Sequence, residues 1–235
     1  MPGRRTAQGS GTAGEPEWAA HSDCGAQAAE QTGRCARGRQ AEARRNDDAV
    51  LDAARLVFAV HGPDAPVSAV AAEAGVGMGS LYRRYASKDE LLRHLCQASM
   101  EQQVTIAERA LASGGEPWDA LSGFIRTCVA ARVGAFASVA GTIPVTAGMR
   151  ATAQRAHELL ERLVSRAREA GAVRRDIGSV DIHQFIELFS RRVPGDAGCQ
   201  RLLAIGLDGL RCPPAEPLPG SPASWNSYAR RWARP

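Results

Sequence analysis

Between Val67 and Leu92 the chain reads VSAVAAEAGVGMGSLYRRYASKDELL, and this stretch constrains the fold more than any other. Val67, Val70, Ala71 and Ala74 recur at helical spacing. Gly75 then falls where a helix must stop and reverse, and glycine adopts positive φ at the least cost. Leu81 and Tyr85, four apart, give a second short helix an apolar seam against the first, with Val76 packing inward. The spacing predicts a helix-turn-helix over residues 66–85, a motif that lays its second helix in the major groove of DNA. The other side of that helix offers Met78, Gly79, Ser80, Tyr82, Arg83 and Arg84. Ser87 is predicted to cap the next helix, with Glu90 as its reciprocal capping-box partner. Lys88 lies beside that N-terminus, where positive charge and exposed N–H groups suit a phosphate.

These residues resemble the TetR family of transcriptional regulators. Ala49 to Phe58 with Gly62 look like that family's first helix. Ala71, Ala74-Gly75-Val76, Gly79-Ser80-Leu81-Tyr82, Ser87-Lys88 and Leu91-Leu92 fall where its motif expects them, so that the close match covers roughly residues 45–95. Two departures stand out: Val70 replaces the usual Ile, and Pro66 replaces the usual Thr. Proline is acceptable at a first helical position, and the phosphate contact of the missing hydroxyl shifts to Ser68. The resemblance implies an all-α protein: an N-terminal three-helix helix-turn-helix DNA-binding domain, then a C-terminal helical bundle for dimerisation and effector binding. It also implies a homodimeric repressor on a palindromic double-stranded DNA operator. Arg83 is expected to read a guanine, Met78 and Ser80 to touch base edges, and Gly79 to let the backbone approach. Ser68, Tyr82 and Lys88 position the fold on phosphates, with Arg45 and Arg84 adding local charge.

Composition agrees with a regulator of this kind. The 235 residues, 44% of them hydrophobic, suffice for a small DNA-binding unit and one larger domain. The formal charge of +4 is mild, so groove binding depends on where the arginines lie and not on a broad basic surface. Lys88 is the only lysine in the chain. No uncharged apolar run is long enough to span a bilayer and no apolar signal core opens the chain, which gives no membrane partner and a cytoplasmic protein as the expectation.

Four segments are predicted. Residues 1–42 lack apolar periodicity and read as a disordered tail. Residues 43–101 form the DNA-binding domain and 102–212 the regulatory domain. Residues 213–235 form a Pro-rich tail whose Ser224 caps a short helix carrying Trp225, Tyr228 and Trp232, aromatics expected to dock on the body of the protein or on a partner subunit. Within the third segment, helices are predicted over Glu116–Val139, Met149–Ala170, a stretch capped by Asp181, and Ala197–Arg211. Gly206 and Gly209 in the last of these are unfavourable by propensity and imply close approach of another helix.

Trp118, Phe124, Cys128, His157 and Phe185 are the candidate pocket residues, with Gln154 and Arg132 as further polar groups, so a largely apolar small-molecule effector is expected. Phe189, Leu203, Leu207 and Leu210 are the candidate dimer contacts. Cys24, Cys35, Cys96, Cys128, Cys199 and Cys212 form no CxxC pair, and no two histidines stand four apart, so neither a disulfide framework nor a metal or other cofactor is expected. No Rossmann, P-loop, HExxH or GxSxG signature supports an enzyme. The alternative from a different class is a helical small-molecule-binding or scaffold protein with weak or lost DNA binding. Such a chain would be expected to have lost Tyr82 or Lys88, and both are present.

Overall fold

The computed structural model describes residues 47–58, 60–62, 64–139, 141–191, 197–211 and 216–232. Arg45, Cys24, Cys35, Cys212, the 1–42 segment and the first residues of the 213–235 segment lie outside them.

The first helix, α1 (47–58), turns Val50, Ala53, Ala54, Val57 and Phe58 inward, an i, i+3, i+4, i+7, i+8 stripe. It packs with α2 (Val67–Glu73) and α3 (Met78–Arg84) around Val70, Ala71, Leu81 and Tyr85, all buried. Ser87 caps α4 (Lys88–Ala112) by accepting the Glu90 N–H at 3.1 Å. The Glu90 carboxylate reaches back to the Ala86 N–H at 2.8 Å, one residue beyond the position expected of a capping box.

Helix α4 belongs to both halves of the molecule. Leu91, Leu92, Leu95 and Cys96 near its start complete the core under α1 to α3, whereas Ile106 and Ala107 enter a second core. The predicted division at residue 101 therefore falls inside one continuous helix. The second core is built from α4, α5 (Pro117–Ala130), α6 (Ala147–Glu169), α7 (Ser179–Ser190) and α8 (Ala197–Gly209). A short helix, α9 (Trp225–Arg230), follows, capped by Ser224 as expected. Among the described residues the only extended pairing is an isolated bridge between Val173 and Arg211.

Two predicted helices are shorter or differently capped. The stretch over Glu116–Val139 ends as a helix at Ala130, because Arg132 takes a left-handed conformation (φ 53°), and it resumes as a 3-10 helix at Ala135–Val139. The reason is close packing against α7: a Cβ built at Gly134 would lie 2.7 Å from the Glu187 Cα, and the Gly134 N–H donates to Ser190 Oγ at 3.3 Å. Asp181 is not the cap of α7 but its third residue, and its carboxylate accepts the N–H of the cap, Gly178, at 2.7 Å.

The candidate dimer residues lie largely inside the subunit. Phe189, Leu203 and Leu207 are buried in the chain's own second core and Leu210 packs against it. The large apolar side chains that α7 and α8 leave exposed are instead Leu188, Leu202 and Ile205. Periodicity shows that α8 is apolar on more than one side, but not which side the rest of the chain covers. Gly206 does permit the close approach expected of it, since a Cβ there would come within 2.6 Å of the Phe185 ring, whereas among the described residues no other element lies within 4 Å of a Cβ at Gly209.

Gly134→Ala is therefore expected to destabilise the protein by about 1–3 kcal/mol through overpacking, and Gly123→Ala, at an open position inside α5, to stabilise it by roughly 0.5–1 kcal/mol. Urea unfolding of the two variants checks both signs.

Candidate functional site

The turn between α2 and α3 is made by Ala74 to Gly77, with Gly75 at φ 66°. The Val76 N–H donates to Ala71 O at 3.0 Å, closing α2, and Val76 packs against the first core. Pro66 is the N-cap of α2 and not its first residue; its extended backbone (φ −70°, ψ 144°) suits proline and it offers no side-chain cap. Ser68, two residues later, is exposed.

With Leu81 and Tyr85 turned inward, α3 presents Gly79, Ser80, Tyr82, Arg83 and Arg84 to solvent, and Tyr82 is 49% exposed. Among the described residues no neighbouring element lies within 4 Å of a Cβ built at Gly79, so its backbone is open to approach. Met78 is half-buried against the first core, which ties it more to α3 packing than to the outer surface. Arg84 pairs with Asp47 at the start of α1, so this arginine fastens α3 to α1. Lys88 is the first residue of α4, half-buried. Arg45 lies outside the described residues.

A cavity of about 250 Å³ lies beyond the first core, between α4, the 3-10 helix, α6, α7 and α9. Cys96 and Met100 of α4, Phe136, Met149 of α6, Ile186 of α7 and Trp232 make its apolar wall. Of the predicted pocket residues, only Gln154 lines it. Phe124 and Cys128 are fully buried in the second core, Trp118 packs at its edge beneath the Arg211 guanidinium (5.1 Å), and Phe185 packs on Gly206. The aromatic side chains of α5 pack into and against the second core. His157 stands behind the wall, stacked on Trp225 with centroids 4.1 Å apart, and Gln154 lines the cavity while accepting the Trp225 indole N–H at 2.7 Å. Arg132 is buried elsewhere. The sequence does not reveal the contribution of α9 to a cavity, although it marks Trp225, Tyr228 and the following Trp232 as a docking face.

The polar part of the wall centres on Glu187 and His183. The buried Glu187 carboxylate accepts from Tyr228 Oη and from both terminal nitrogens of Arg231, the Nη1 contact measuring 2.9 Å. Burial pushes the Tyr228 phenol well above its usual pKa, with the Glu187 charge adding to the effect. His183 Nδ1 lies 3.4 Å from Gln103 Nε2, and its Nε2 is buried without a partner. Burial, reinforced by His157 and Arg231, pulls its pKa down to about 3, so the ring is neutral at pH 7. The Cys96 thiol, pushed up to about 12 by burial, is likewise an uncharged wall group.

An exposed short helix following a glycine turn, set on a small helical core and joined to a cavity-bearing bundle, defines a helix-turn-helix DNA-binding regulator. The comparisons give its family. Residues 50–95 match the model of bacterial regulatory proteins of the tetR family, and residues 116–212 match the C-terminal domain of SbtR-like transcriptional regulators, together more than half of the chain. Among solved structures, the chain is similar to a TetR transcriptional regulator from Streptomyces coelicolor (29% identity, TM-score 0.50, 72% of this chain and 99% of that one). It is also similar to a TetR transcription regulatory protein from Mycobacterium vanbaalenii (28%, 0.51, 73% and 98%). The ketosteroid transcriptional regulator of Mycobacterium tuberculosis shares the fold at 23% identity, with a TM-score of 0.50 over 72% of this chain and 95% of that one. No curated protein matches. The chain belongs to the TetR family of transcriptional regulators. Among the described residues no helix is long and apolar enough to cross a membrane.

Because the His183 pKa is depressed on folding, the unfolded chain binds a proton that the native one does not between about pH 6.5 and about pH 3, so stability falls as pH drops through that window. His183→Phe is expected to flatten that acid loss. Melting temperatures of both proteins between pH 7.5 and 4 measure it.

Proposed function

We propose that this chain is a ligand-responsive repressor that binds a palindromic operator as a homodimer. Each subunit lays Gly79 to Arg83 in the major groove of one half-site. Arg83 carries a fork that fits guanine O6 and N7, and Ser80 contacts a neighbouring base edge. Tyr82, Ser68 and Lys88 hold phosphates and set the register without reading sequence. Arg84, engaged with Asp47, supports the helix that does the reading.

The observation that carries the effector reading is that the cavity shares its wall with the DNA-binding core. Phe136 lines the cavity and also packs on Phe58 of α1, ring centroids 6.1 Å apart, while α4 runs from the cavity directly to the cap that follows α3. A largely apolar small molecule that spreads this wall shifts α1 and α4 together and so changes the distance between the two recognition helices of a dimer. Coupling of this kind is typically about 1–3 kcal/mol, or about 5–150-fold in operator affinity. Leu188, Leu202 and Ile205 give the dimer its apolar contact on α7 and α8. The scaffold alternative is disfavoured by the exposed Tyr82 and Arg83.

With an operator obtained by selection from random duplexes, Tyr82→Phe and Lys88→Ala are expected to weaken binding to all sequences. Arg83→Ala should lose discrimination at one base pair, about 1–3 kcal/mol there. Equal loss of discrimination in all three variants would overturn these roles. Sedimentation equilibrium is expected to show a dimer at micromolar concentration that Leu202→Glu/Ile205→Glu dissociates, with loss of operator binding; an intact dimer in that variant places the interface elsewhere.

A further inference from the structure

The cavity's outer wall is held without a buried residue of its own. Helix α9 has no buried residue and lies beyond both segments that match the family, yet it supplies Trp225, Tyr228 and Ala229 to the wall, and Trp232 follows directly. What fastens it is polar and stacked. Arg231 lies on Glu187, with its guanidinium 3.9 Å from the Tyr228 ring centroid and 6.0 Å from that of Trp232, and Trp225 stacks within 5° of parallel on His157. This is the way a protein holds a flat organic cation: a carboxylate for the charge and aromatic faces for the body.

We infer that α9 is a tethered stand-in for the cavity's ligand, and that this ligand is an amphipathic organic cation, a flat apolar body bearing a guanidinium-like head, which takes the place of Arg231 on Glu187. The inference rests on the reading of the cavity as the effector site.

Charge decides the class. Glu187 is only 8% exposed, and its hydrogen-bond partners, Tyr228 and Arg231, both come from the α9 segment. The Gly134 turn packs directly against the Glu187 backbone, which holds this residue in place. Withdrawal of α9 alone would leave a buried carboxylate without a counter-charge, which is strongly unfavourable. A neutral molecule cannot supply that charge, and an anion would add to it. The other ionisable groups on the wall are His183, Cys96 and Tyr228, all neutral, and Arg150, exposed at the rim on the Val145 carbonyl. The rings of His157 and His183, 6.0 Å apart, remain as the stacking floor for whatever replaces Trp225 and Tyr228.

The test uses the full-length protein and two matched probes, 1-naphthylmethylguanidine and 1-naphthylmethylurea, which share shape and differ in charge. Calorimetry is expected to show tighter binding of the guanidinium. Arg231→Ala should tighten it by about tenfold, because the site is no longer occupied by its own side chain, with the urea changing less than about threefold. Glu187→Gln/Arg231→Gln, which removes both charges together and leaves no unpaired ion, should bind the two probes equally. Amide exchange over residues 225–232 should speed up when the guanidinium binds. If the urea binds as well as the guanidinium to Arg231→Ala, the cation is wrong, and if the guanidinium slows exchange over 225–232, α9 is not displaced and the stand-in is wrong; in either case the cavity reading survives. If neither probe binds any variant, the cavity reading falls with it.

Discussion

A single helix that must satisfy two cores sets the geometry of this molecule. Helix α4 has 25 residues, about 37 Å at 1.5 Å per residue, and its apolar positions change partner along its length. Near its start they face α1 to α3, and from Ile106 they face α5 and α6. A rigid rod shared in this way cannot be displaced at one end without moving the other. Arg55 of α1, buried, bonds to Gln102 halfway along it, and Ser99 donates to Val133 O at 2.9 Å, so its middle is tied on both sides.

The cavity sits where those two cores meet and where packing is hardest to complete. Cys96, Phe136 and Met149 belong to the first core and Ile186 to the second, and between them the chain places polar groups that a uniform core would avoid. Glu187, His183 and Gln103 each carry a desolvation cost that a wholly apolar filling would not. Glu187 is compensated by Arg231 and Tyr228, but His183 Nε2 is not. Polar groups held at such a seam cost stability, which is the pattern the proposed effector site would explain.

The DNA-binding half was legible in the sequence because its signals are local. Gly75 fixes the turn, Ser87 fixes the start of α4, and the alternation of Leu81 and Tyr85 with Tyr82 and Arg83 fixes the outer face of α3. The bundle half was legible only as helices. Phe124, Cys128, Leu203 and Leu207 are apolar at helical spacing whether they face a cavity, a partner or their own core, and nothing in their periodicity distinguishes the three. The end of α5 at Ala130 was hidden for a related reason. It depends on the contact between Gly134 and the Glu187 backbone, 53 residues apart in the chain. Trp225 and Tyr228 were recognisable as a docking face, but their destination depends on His157 and Glu187, which no local pattern connects to them.

The segment that leads to α9 is itself pinned. Arg174 holds the Glu216 carbonyl at 2.6 Å, and the Asp176 carboxylate, kept below the usual carboxylate range chiefly by its hydrogen bond from Arg174, accepts the Leu218 N–H at 2.8 Å. Only residues 219–224, among them Pro219, Gly220 and Pro222, separate that anchor from the helix. A released α9 therefore stays at an effective concentration set by this short leash, on the order of millimolar for a short flexible tether. On the proposed reading the leash is a dial: its length and stiffness would fix how much free compound is needed before the switch responds. Insertions or prolines between Leu218 and Ser224 would retune the response threshold without touching either the cavity or the DNA-reading helix.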